Sequence, residues 1–332
     1  MTADTFKALV VSAGEDNAYK REILQRRVDD LPDGDVLIRV NYSSLNYKDA
    51  LSAVGNKGVT RSYPHTPGID AAGTVAQSRV ERFKAGDPVL VTGYDLGMNT
   101  AGGFGQFVRV PAEWVVPLPA GLSLKESMIY GTAGFTAGMG VYFLTETVKP
   151  QDGPVLVTGA TGGVGSVSVA VLARLGYSVA AVTGKTAEEA FLKRIGASRI
   201  VDRADAADTS GRPLLKGQWA GVVDTVGGEI LATAIKSTQA WGTVTCCGNV
   251  ASPDLPLTVF PFILRGVRLI GIDSQNCPMD LRLKVWENLS GPWKIEGLDR
   301  LCTEISPDRL SENIDLILKG RQTGRVVVNL GE

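Results

Sequence analysis

A glycine-rich segment in the middle of the chain has the composition of a phosphate-binding loop. The segment Val155–Ser166 reads VLVTGATGGVGS and lies between an apolar stretch typical of a buried strand and a helical segment, residues 167–175. Glycines let the backbone approach a pyrophosphate, and the N–H groups and dipole of the following helix favour its negative charge. Ala160 stands where the usual fingerprint has its first glycine. In this strand–loop–helix context the segment favours dinucleotide binding over a purely structural turn.

The residues after the next predicted strand indicate which dinucleotide binds. An NAD site usually carries an acidic residue there, which holds the ribose 2′-hydroxyl. This chain has Thr183, Gly184 and Lys185 instead, and Arg203 follows the third predicted strand. These side chains can attract a 2′-phosphate through charge-assisted hydrogen bonds, whereas a carboxylate would repel it. The sequence therefore predicts NADPH; the alternative interpretation is that Lys185 only starts a solvated helix.

The chain is poor in the side chains that bind zinc. It has one histidine, His65, and a catalytic zinc needs three protein ligands around an open position, so we expect no metal. His65 lies in the turn YPHTPG, where a structural role is favoured over acid–base chemistry. Four cysteines, which have no basic neighbour placed to form a thiolate, are expected to be reduced, buried, small apolar side chains: Cys246, Cys247, Cys277 and Cys302.

Length and charge restrict the class of protein. A chain of 332 residues exceeds what one hydrophobic core normally holds, so two domains are expected. Its net charge of -1 gives no broad field that would attract nucleic acid or anionic lipid. No segment approaches the length of apolar sequence that spans a bilayer, and the first residues do not read as a secretory signal. A cytoplasmic protein is expected.

The order of predicted elements indicates an α/β protein, in which a β-rich part precedes a doubly wound parallel sheet. Residues 1 to 124 read as short strands and turns, and the pattern then changes to helices and apolar strands, beginning with a helix over 129–148. Apolar runs without alternation predict parallel strands buried on both faces. Strands are predicted at 8–11, 36–40, 72–75 and 88–91, then at 155–158, 179–182, 198–201, 221–224, 242–245 and 267–272.

Several motifs together resemble one known family. They are SSLNYKDAL at 43–51, PGIDAAGTV at 67–75, GTAGFTA at 131–137, WAGVVDTVG at 219–227 and PFILRGVRL at 261–269. On these motifs, which extend over nearly the whole chain, the protein resembles the medium-chain dehydrogenase/reductase superfamily. More narrowly, it is similar to the acrylyl-CoA reductase branch of the zinc-free, quinone-oxidoreductase-like members.

The resemblance implies a GroES-like catalytic domain built from both chain ends, 1–124 and 274–332, and a Rossmann dinucleotide-binding domain at 125–273. It implies NADPH-dependent reduction of the carbon–carbon double bond of acrylyl-CoA to propionyl-CoA, without zinc. Carried over by motif, the contacts to NADPH fall on Tyr47, Thr161, Gly162, Gly163, Val164, Thr183, Gly184, Lys185, Arg203, Asn249, Ile263, Ser274 and Asn329.

Tyr47 is the candidate proton donor or carbonyl-polarising group for such a reaction. A conjugated carbonyl accepts hydride at its β-carbon, so negative charge builds on the carbonyl oxygen and the α-carbon then needs a proton. Asn46 and Lys48 are the further catalytic candidates, Asn46 as an orienting neighbour and Lys48 as a charge that tunes Tyr47. The open alternative is that Tyr47 only contacts the nicotinamide ribose and that water supplies the proton.

Assembly and rival functions follow from the same resemblance. The dimer of the superfamily would pair the predicted strand 267–272 with its twin across a two-fold axis, so a homodimer is expected. An NADPH quinone oxidoreductase is the rival activity, since it uses the same fold and cofactor. A non-catalytic NADPH-binding protein is a third hypothesis, and the lack of a basic stripe argues against an RNA-binding form of it.

Five further charged residues receive structural interpretations. Asp224, at the end of a predicted strand, is expected to cap the following helix rather than to contact a ligand. Arg265, Arg282, Lys284 and Arg325 are candidates for the phosphates of coenzyme A, but ordinary surface charge is the favoured interpretation.

Overall fold

The computed structural model describes residues 5–15 and 18–331. The chain divides into two compact units. The first unit comprises Met1–Thr132, Gln275–Leu283 and Gly297–Glu332, and the second comprises Ala133–Ser274 and Lys284–Glu296. The domain ranges expected from the sequence stay a prediction.

The strands, in chain order, are β1 (Thr5–Ala13), β2 (Tyr19–Arg27), β3 (Val36–Leu45), β4 (Asp70–Ser78), β5 (Pro88–Thr92), β6 (Phe107–Val110), β7 (Val116–Pro117), β8 (Val155–Val157), β9 (Val179–Thr183), β10 (Arg199–Asp202), β11 (Trp219–Asp224), β12 (Thr238–Cys246), β13 (Arg268–Gly271), β14 (Cys302–Ile305) and β15 (Arg325–Asn329). The α-helices are α1 (Tyr47–Ser52), α2 (Leu124–Thr145), α3 (Gly163–Arg174), α4 (Glu189–Arg194), α5 (Gly228–Lys236), α6 (Phe260–Arg265), α7 (Met279–Ser290) and α8 (Leu310–Leu318). Among the described residues no helix combines the length and hydropathy of a membrane span.

The first unit is built on an antiparallel sheet of order β14-β15-β3-β4-β5-β7, in which only the β14–β15 pair is parallel and β6 pairs with β3. The hairpin of β1 and β2 forms a separate sheet. The predicted strands at 8–11, 36–40, 72–75 and 88–91 are confirmed as β1, β3, β4 and β5. The sequence pattern did not predict β2, because its polar sequence YKREILQRR lies largely at the surface. It also did not predict the short β6 and β7, or β14 and β15.

The second unit contains the predicted parallel sheet. Its strand order is β10-β9-β8-β11-β12-β13, which is the 3-2-1-4-5-6 order of a doubly wound dinucleotide-binding fold. All strand pairs are parallel, and every residue of β8, β9 and β11 is buried, as unbroken apolar runs predict. Helices α3, α4 and α5 pack against these strands. The α/β fold class is therefore confirmed.

Helix α2 corrects the prediction of a helix over 129–148, because it runs from Leu124 to Thr145. The start was missed although the sequence carries a capping box there. Ser123 Oγ accepts the N–H of Glu126 at 3.1 Å, and Glu126 Oε2 accepts the N–H of Ser123 at 2.8 Å. The helix is interrupted at Gly131, whose φ of 50° and ψ of -158° are not helical.

Candidate dinucleotide site and catalytic network

The glycine-rich loop joins β8 to α3 in the second unit. Gly159 adopts a positive φ of 58°, and the N–H of Ala160 donates to the main-chain oxygen of Val182 at 3.0 Å. A side chain at Gly165 would bring a Cβ to 2.8 Å from the Cα of Ala160, so only glycine fits this turn. Helix α3 begins at Gly163, and the N–H groups of its first turn lack intrahelical acceptors.

This geometry suits the predicted pyrophosphate site. Thr161 is buried within the turn, whereas Gly162, Gly163 and Val164 are partly exposed at the start of α3. Exposed N–H groups at a helix N-terminus, reached by a backbone without side chains, are what an anionic diphosphate requires. The residues present therefore fit a dinucleotide.

A buried aspartate, Asp224, holds the end of β8 and the start of the loop through hydrogen bonds. Asp224 Oδ1 accepts the hydroxyl of Thr158 at 2.7 Å, and Asp224 Oδ2 accepts the N–H of Gly227 at 2.9 Å. Thr225 Oγ1 donates to the main-chain oxygen of Thr158 at 2.9 Å. Burial raises the pKa of Asp224. The expectation of a helix cap was wrong, because α5 begins at Gly228 and Asp224 instead joins the ends of β8 and β11.

The four residues predicted to meet the 2′-phosphate lie together at the carboxyl ends of β9 and β10. Thr183 Oγ1 accepts the N–H of Lys185 at 3.0 Å, and the N–H of Arg203 donates to the main-chain oxygen of Thr183 at 3.0 Å. A Cβ on Gly184 would lie 3.4 Å from the Cδ of Arg203. Burial lowers the pKa of Lys185, and the charge of Glu188 opposes this. The backbones of Lys185 and Arg203 are thus both anchored at this edge of the sheet.

The other predicted cofactor residues occupy different positions. In the second unit, Asn249 is exposed beyond the end of β12, and Ile263 is 67% exposed on α6. Ser274 Oγ accepts the hydroxyl of Thr136 at 2.7 Å. Asn329 belongs to the first unit, where its amide donates to Glu304 Oε1 at 2.9 Å. The assignment of these four residues to NADPH stays a prediction.

The three catalytic candidates lie at the start of α1 in the first unit. Tyr47 is the first residue of this helix and is 43% exposed, and no hydrogen bond of its hydroxyl is present among the described residues. Asn46 is buried directly before it. Lys48 Nζ donates to Gln275 Oε1 at 2.5 Å, which holds the ammonium beside the helix start. Of the three side chains, Tyr47 is the one most open to a reactant.

Buried side chains converge on the carboxylate of Asp70. Ser44 Oγ donates to Asp70 Oδ2 at 2.5 Å, and Asn46 Nδ2 donates to the same oxygen at 2.7 Å. Thr132 donates from its hydroxyl to Asp70 Oδ1 at 2.6 Å. Arg325 Nη2 donates to Ser44 Oγ at 2.8 Å and lies 3.9 Å from Asp70 Oδ2. Burial lowers the pKa of Arg325, and the nearby carboxylates oppose this.

Asp49 is a second carboxylate in the same place. Its Oδ1 accepts the N–H of Ile69 at 2.8 Å, and its Oδ2 accepts the N–H of Asn46 at 2.8 Å. Burial, followed by the charge of Asp70, raises the pKa of Asp49 to about 7, against these two hydrogen bonds. We call Ser44, Asn46, Asp49, Asp70 and Arg325 the carboxylate network.

The arginine interpretation from the sequence was wrong at three positions. Arg325 and Arg282 are fully buried, and Arg282 Nη1 donates to the main-chain oxygen of Thr92 at 2.8 Å. Arg265 donates to three main-chain oxygens. Lys284 alone is exposed as expected. Arginine is suited to this internal role because its donors can satisfy several carbonyls at once, a use that composition does not reveal.

His65 is buried in a structural turn, whereas of the four cysteines only Cys277 is buried as expected, and Cys246, Cys247 and Cys302 are partly exposed. The ring Nε2 of His65 lies 2.9 Å from the main-chain oxygen of Gly97, and burial lowers the pKa of this histidine. Burial raises the pKa of Cys246 to about 11 and that of Cys247 to about 12, which opposes thiolate formation. Within residues 5–15 and 18–331 no cluster of metal-binding side chains is present.

Comparison with known proteins identifies the family. Residues 32–120 match the alcohol dehydrogenase GroES-like domain, and residues 163–290 match the zinc-binding dehydrogenase family. The acrylyl-CoA reductase AcuI of Ruegeria pomeroyi is 46% identical over 98% of this chain and 99% of its own. A protein named as a quinone oxidoreductase, YhfP of Bacillus subtilis, is 46% identical over 91% of this chain and 92% of its own.

Solved structures agree with these matches. The YhdH oxidoreductase of Salmonella enterica, in complex with NADP, has a TM-score of 0.94 and 43% identity over 97% of this chain and 99% of its own. Bacillus subtilis YhfP, with NAD bound, has a TM-score of 0.96 and 44% identity over 99% of this chain and 100% of its own. The chain belongs to the medium-chain dehydrogenase/reductase superfamily, among its quinone-oxidoreductase-like members.

Proposed function

We propose that the protein reduces the conjugated double bond of acrylyl-CoA to propionyl-CoA with NADPH. The observation that carries this proposal is the 46% identity to the acrylyl-CoA reductase of Ruegeria pomeroyi, which extends over 98% of this chain. The loop between β8 and α3 and the basic residues after β9 and β10 supply the features that NADPH binding requires.

The cofactor assignment rests on charge at the carboxyl ends of β9 and β10. Lys185 and Arg203 stand where an NAD-specific site would place a carboxylate, and Thr183 adds a buried hydroxyl. The bound NAD in the Bacillus relative makes NADH the control in every assay. Preference for NADPH is the expected result.

In this reaction the protein has to position the substrate, polarise its carbonyl group and supply one proton. NADPH, when bound, supplies the hydride that forms the new C–H bond at the β-carbon. The π-electrons of the double bond then move toward the thioester carbonyl, and the α-carbon takes a proton. The Tyr47 hydroxyl donates this proton and is reprotonated from solvent, for which its 43% exposure leaves it accessible.

Isotope labelling of the product tests the reaction. The protein is incubated with acrylyl-CoA and NADPH deuterated at the nicotinamide C4, in ordinary water, and the acyl product is analysed by mass spectrometry and NMR. One deuterium on the β-carbon of propionyl-CoA is expected. Deuterium on the α-carbon, or oxidation of NADPH without propionyl-CoA, would contradict the proposal.

An NADPH quinone reductase is the second candidate, and the similarity to Bacillus subtilis YhfP favours it. The same fold would deliver hydride to a flat ring instead of an enoyl thioester. Turnover of a simple quinone with no propionyl-CoA formed would establish this alternative. Inactivity with every enoyl and quinone acceptor would instead favour a protein that only binds NADPH.

We further propose a homodimer through the predicted strand 267–272. Strand β13, within this range, is an edge of the six-stranded sheet and leaves Leu269 36% exposed. Such an edge is suited to pairing with a second copy. Leu269→Lys is expected to yield monomers in light scattering, whereas Leu283→Lys, at a leucine of 39% exposure on α7, should leave the dimer intact. Monomeric wild-type protein would exclude this assembly.

We also propose a cytoplasmic location, because NADPH and acyl-CoA thioesters are metabolites of the cell interior. Cell fractionation followed by immunodetection tests it. Recovery in the soluble intracellular fraction is expected, and recovery outside the cell would contradict it.

A further inference from the structure

We infer that the carboxylate network is a positioning device that holds the Tyr47 hydroxyl where the reaction needs its proton. Asn46, Ser44 and Arg325 act through the start of α1, and none of them is proposed to touch the reactants. This inference rests on the proposed function, since it assigns Tyr47 its part in that reaction.

The first support is that Asn46 joins the start of α1 to the sheet. Its Nδ2 donates to Asp70 Oδ2 at 2.7 Å, and its Oδ1 accepts from Arg325 Nη1 at 3.2 Å. Within its own helix, Nδ2 also lies 3.4 Å from Asp49 Oδ2. The residue preceding Tyr47 is therefore bonded to β4 and β15, through Asp70 and Arg325, as well as to its own helix.

The second support is that main chain and side chain are fixed together. Asp49 Oδ2 accepts the N–H of Asn46 at 2.8 Å, so both the backbone and the amide of Asn46 are held. Ser44 completes the arrangement, because its hydroxyl accepts from Arg325 at 2.8 Å and donates to Asp70 at 2.5 Å. With Asn46, Asp49 and Ser44 all buried, the helix start has little freedom to shift.

The third support is the contrast between Tyr47 and its neighbours. Asn46 and Asp49 are 7% and 0% exposed, whereas Tyr47 is 43% exposed. Because Tyr47 is partly exposed, its own packing restricts it less, so the backbone anchor contributes more to its position. Because a misplacement of about 1 Å can cost on the order of 100-fold in rate, such an anchor has consequences for turnover.

Two adjacent serines provide a matched test. Ser43 and Ser44 are both fully buried and both donate to Asp70, Ser43 to its main-chain oxygen at 2.6 Å and Ser44 to its carboxylate. Ser43→Ala and Ser44→Ala each remove one buried hydroxyl, so both are expected to lower the melting temperature by similar amounts. Only Ser44→Ala disturbs the contact of Arg325 and Asp70 around Asn46.

Steady-state kinetics with NADPH and acrylyl-CoA separate the two serines. Ser44→Ala is expected to lower kcat about 10-fold or more, with KM for acrylyl-CoA and Kd for NADPH within about two-fold of wild type. Ser43→Ala should retain kcat within about two-fold. Equal losses of kcat in the two variants would overturn the inference, because they would show a general effect of lost stability.

A double-mutant cycle tests whether the effect passes through the tyrosine hydroxyl. If the network serves Tyr47, Ser44→Ala should cause no further loss of kcat in a Tyr47→Phe background. Additive losses would overturn the inference. Failure of the proposed function is recognised separately, because wild-type protein would then form no propionyl-CoA. Should Ser44→Ala not fold, Asn46→Ser replaces it in the same cycle with the same expected results.

Discussion

Tyr47 combines an exposed hydroxyl with a buried backbone anchor, and this combination leads to a first prediction. Tyr47→Phe removes the proton donor but keeps the ring, so kcat for acrylyl-CoA should fall by about 10²-fold or more, the scale typical of general acid catalysis. Binding of NADPH, followed by fluorescence titration, should stay within about two-fold of wild type. Unchanged turnover would assign the proton to water and leave Tyr47 as a contact to the ribose.

Lys185 and Arg203 lead to a prediction about cofactor choice. Replacing both with alanine removes two cations from the carboxyl ends of β9 and β10, where Thr183 remains. Each charge-assisted bond to a phosphate contributes about 1.5 to 3 kcal/mol, so Kd for NADPH should rise by roughly 100-fold or more. Titration with NADH is the internal control, and its Kd should change little. Parallel weakening of both cofactors would contradict the assignment.

Asp49 gives the folded protein a predictable dependence on pH. Its pKa of about 7 is raised from 3.8, so the folded state holds the proton more tightly than the unfolded state does. The resulting stabilisation is complete below pH 3.8 and is lost as pH rises through 7. Between pH 5 and 8 the free energy of unfolding should therefore fall by roughly 2.5 kcal/mol relative to Asp49→Asn, which does not titrate. Urea unfolding measures this difference, and a pH-independent difference would contradict it.

Gly131 allows helix α2 to pass beside the buried carboxylate network. At Gly131 the helix leaves its regular geometry with a φ of 50°, and a Cβ there would lie 2.5 Å from Asp70 Oδ2 and 2.8 Å from Arg325 Nη2. Any side chain would therefore press into the carboxylate network. The glycine is required both for its backbone conformation and for the space beside it.

Gly131→Ala is accordingly expected to destabilise the protein more than an ordinary glycine substitution does. The matched control is Gly176→Ala, which has a φ of 84° but nothing within 4 Å of an added Cβ. The control should cost about 1 kcal/mol for its conformation, and Gly131→Ala about 2 to 4 kcal/mol because overpacking is added. Urea denaturation measures the loss of unfolding free energy in both variants. Equal losses would mean that the carboxylate network accommodates the added methyl group without further cost.

The parallel strands were easier to predict from the sequence than β2 and the start of α2. The parallel strands were predicted to within a few residues, because their buried apolar runs are bounded by glycines and polar turns. Strand β2 was missed because pairing with β1, and not burial, keeps its polar residues extended. The start of α2 was also missed, although Ser123 and Glu126 form a capping box whose pattern is present in the sequence.

The residues of the candidate site could be predicted where they form a short motif, but not where they are far apart in sequence. The glycine loop and the segment 183–185 are short motifs, so their place at the strand ends could be predicted from the local sequence. The carboxylate network joins Ser44, Asp70 and Arg325, which are far apart in sequence. No local sequence pattern predicts such a contact. Arg325 was therefore taken for surface charge, although folding buries it completely.

For the molecule as a whole, the fold and family are established by sheet order and by relatives that match nearly the entire chain. Two chemistries on this fold remain distinct in their acceptors, an enoyl thioester and a quinone. The proposed function therefore makes a claim about relative specificity, which binding of the dinucleotide alone does not address.

The most direct test is the rate of NADPH oxidation at matched enzyme concentration with acrylyl-CoA, crotonyl-CoA and a simple quinone, repeated with NADH for the best acceptor. The highest kcat/KM is expected for acrylyl-CoA with NADPH. A higher kcat/KM for the quinone would leave the fold and family unchanged and would contradict acrylyl-CoA as the substrate.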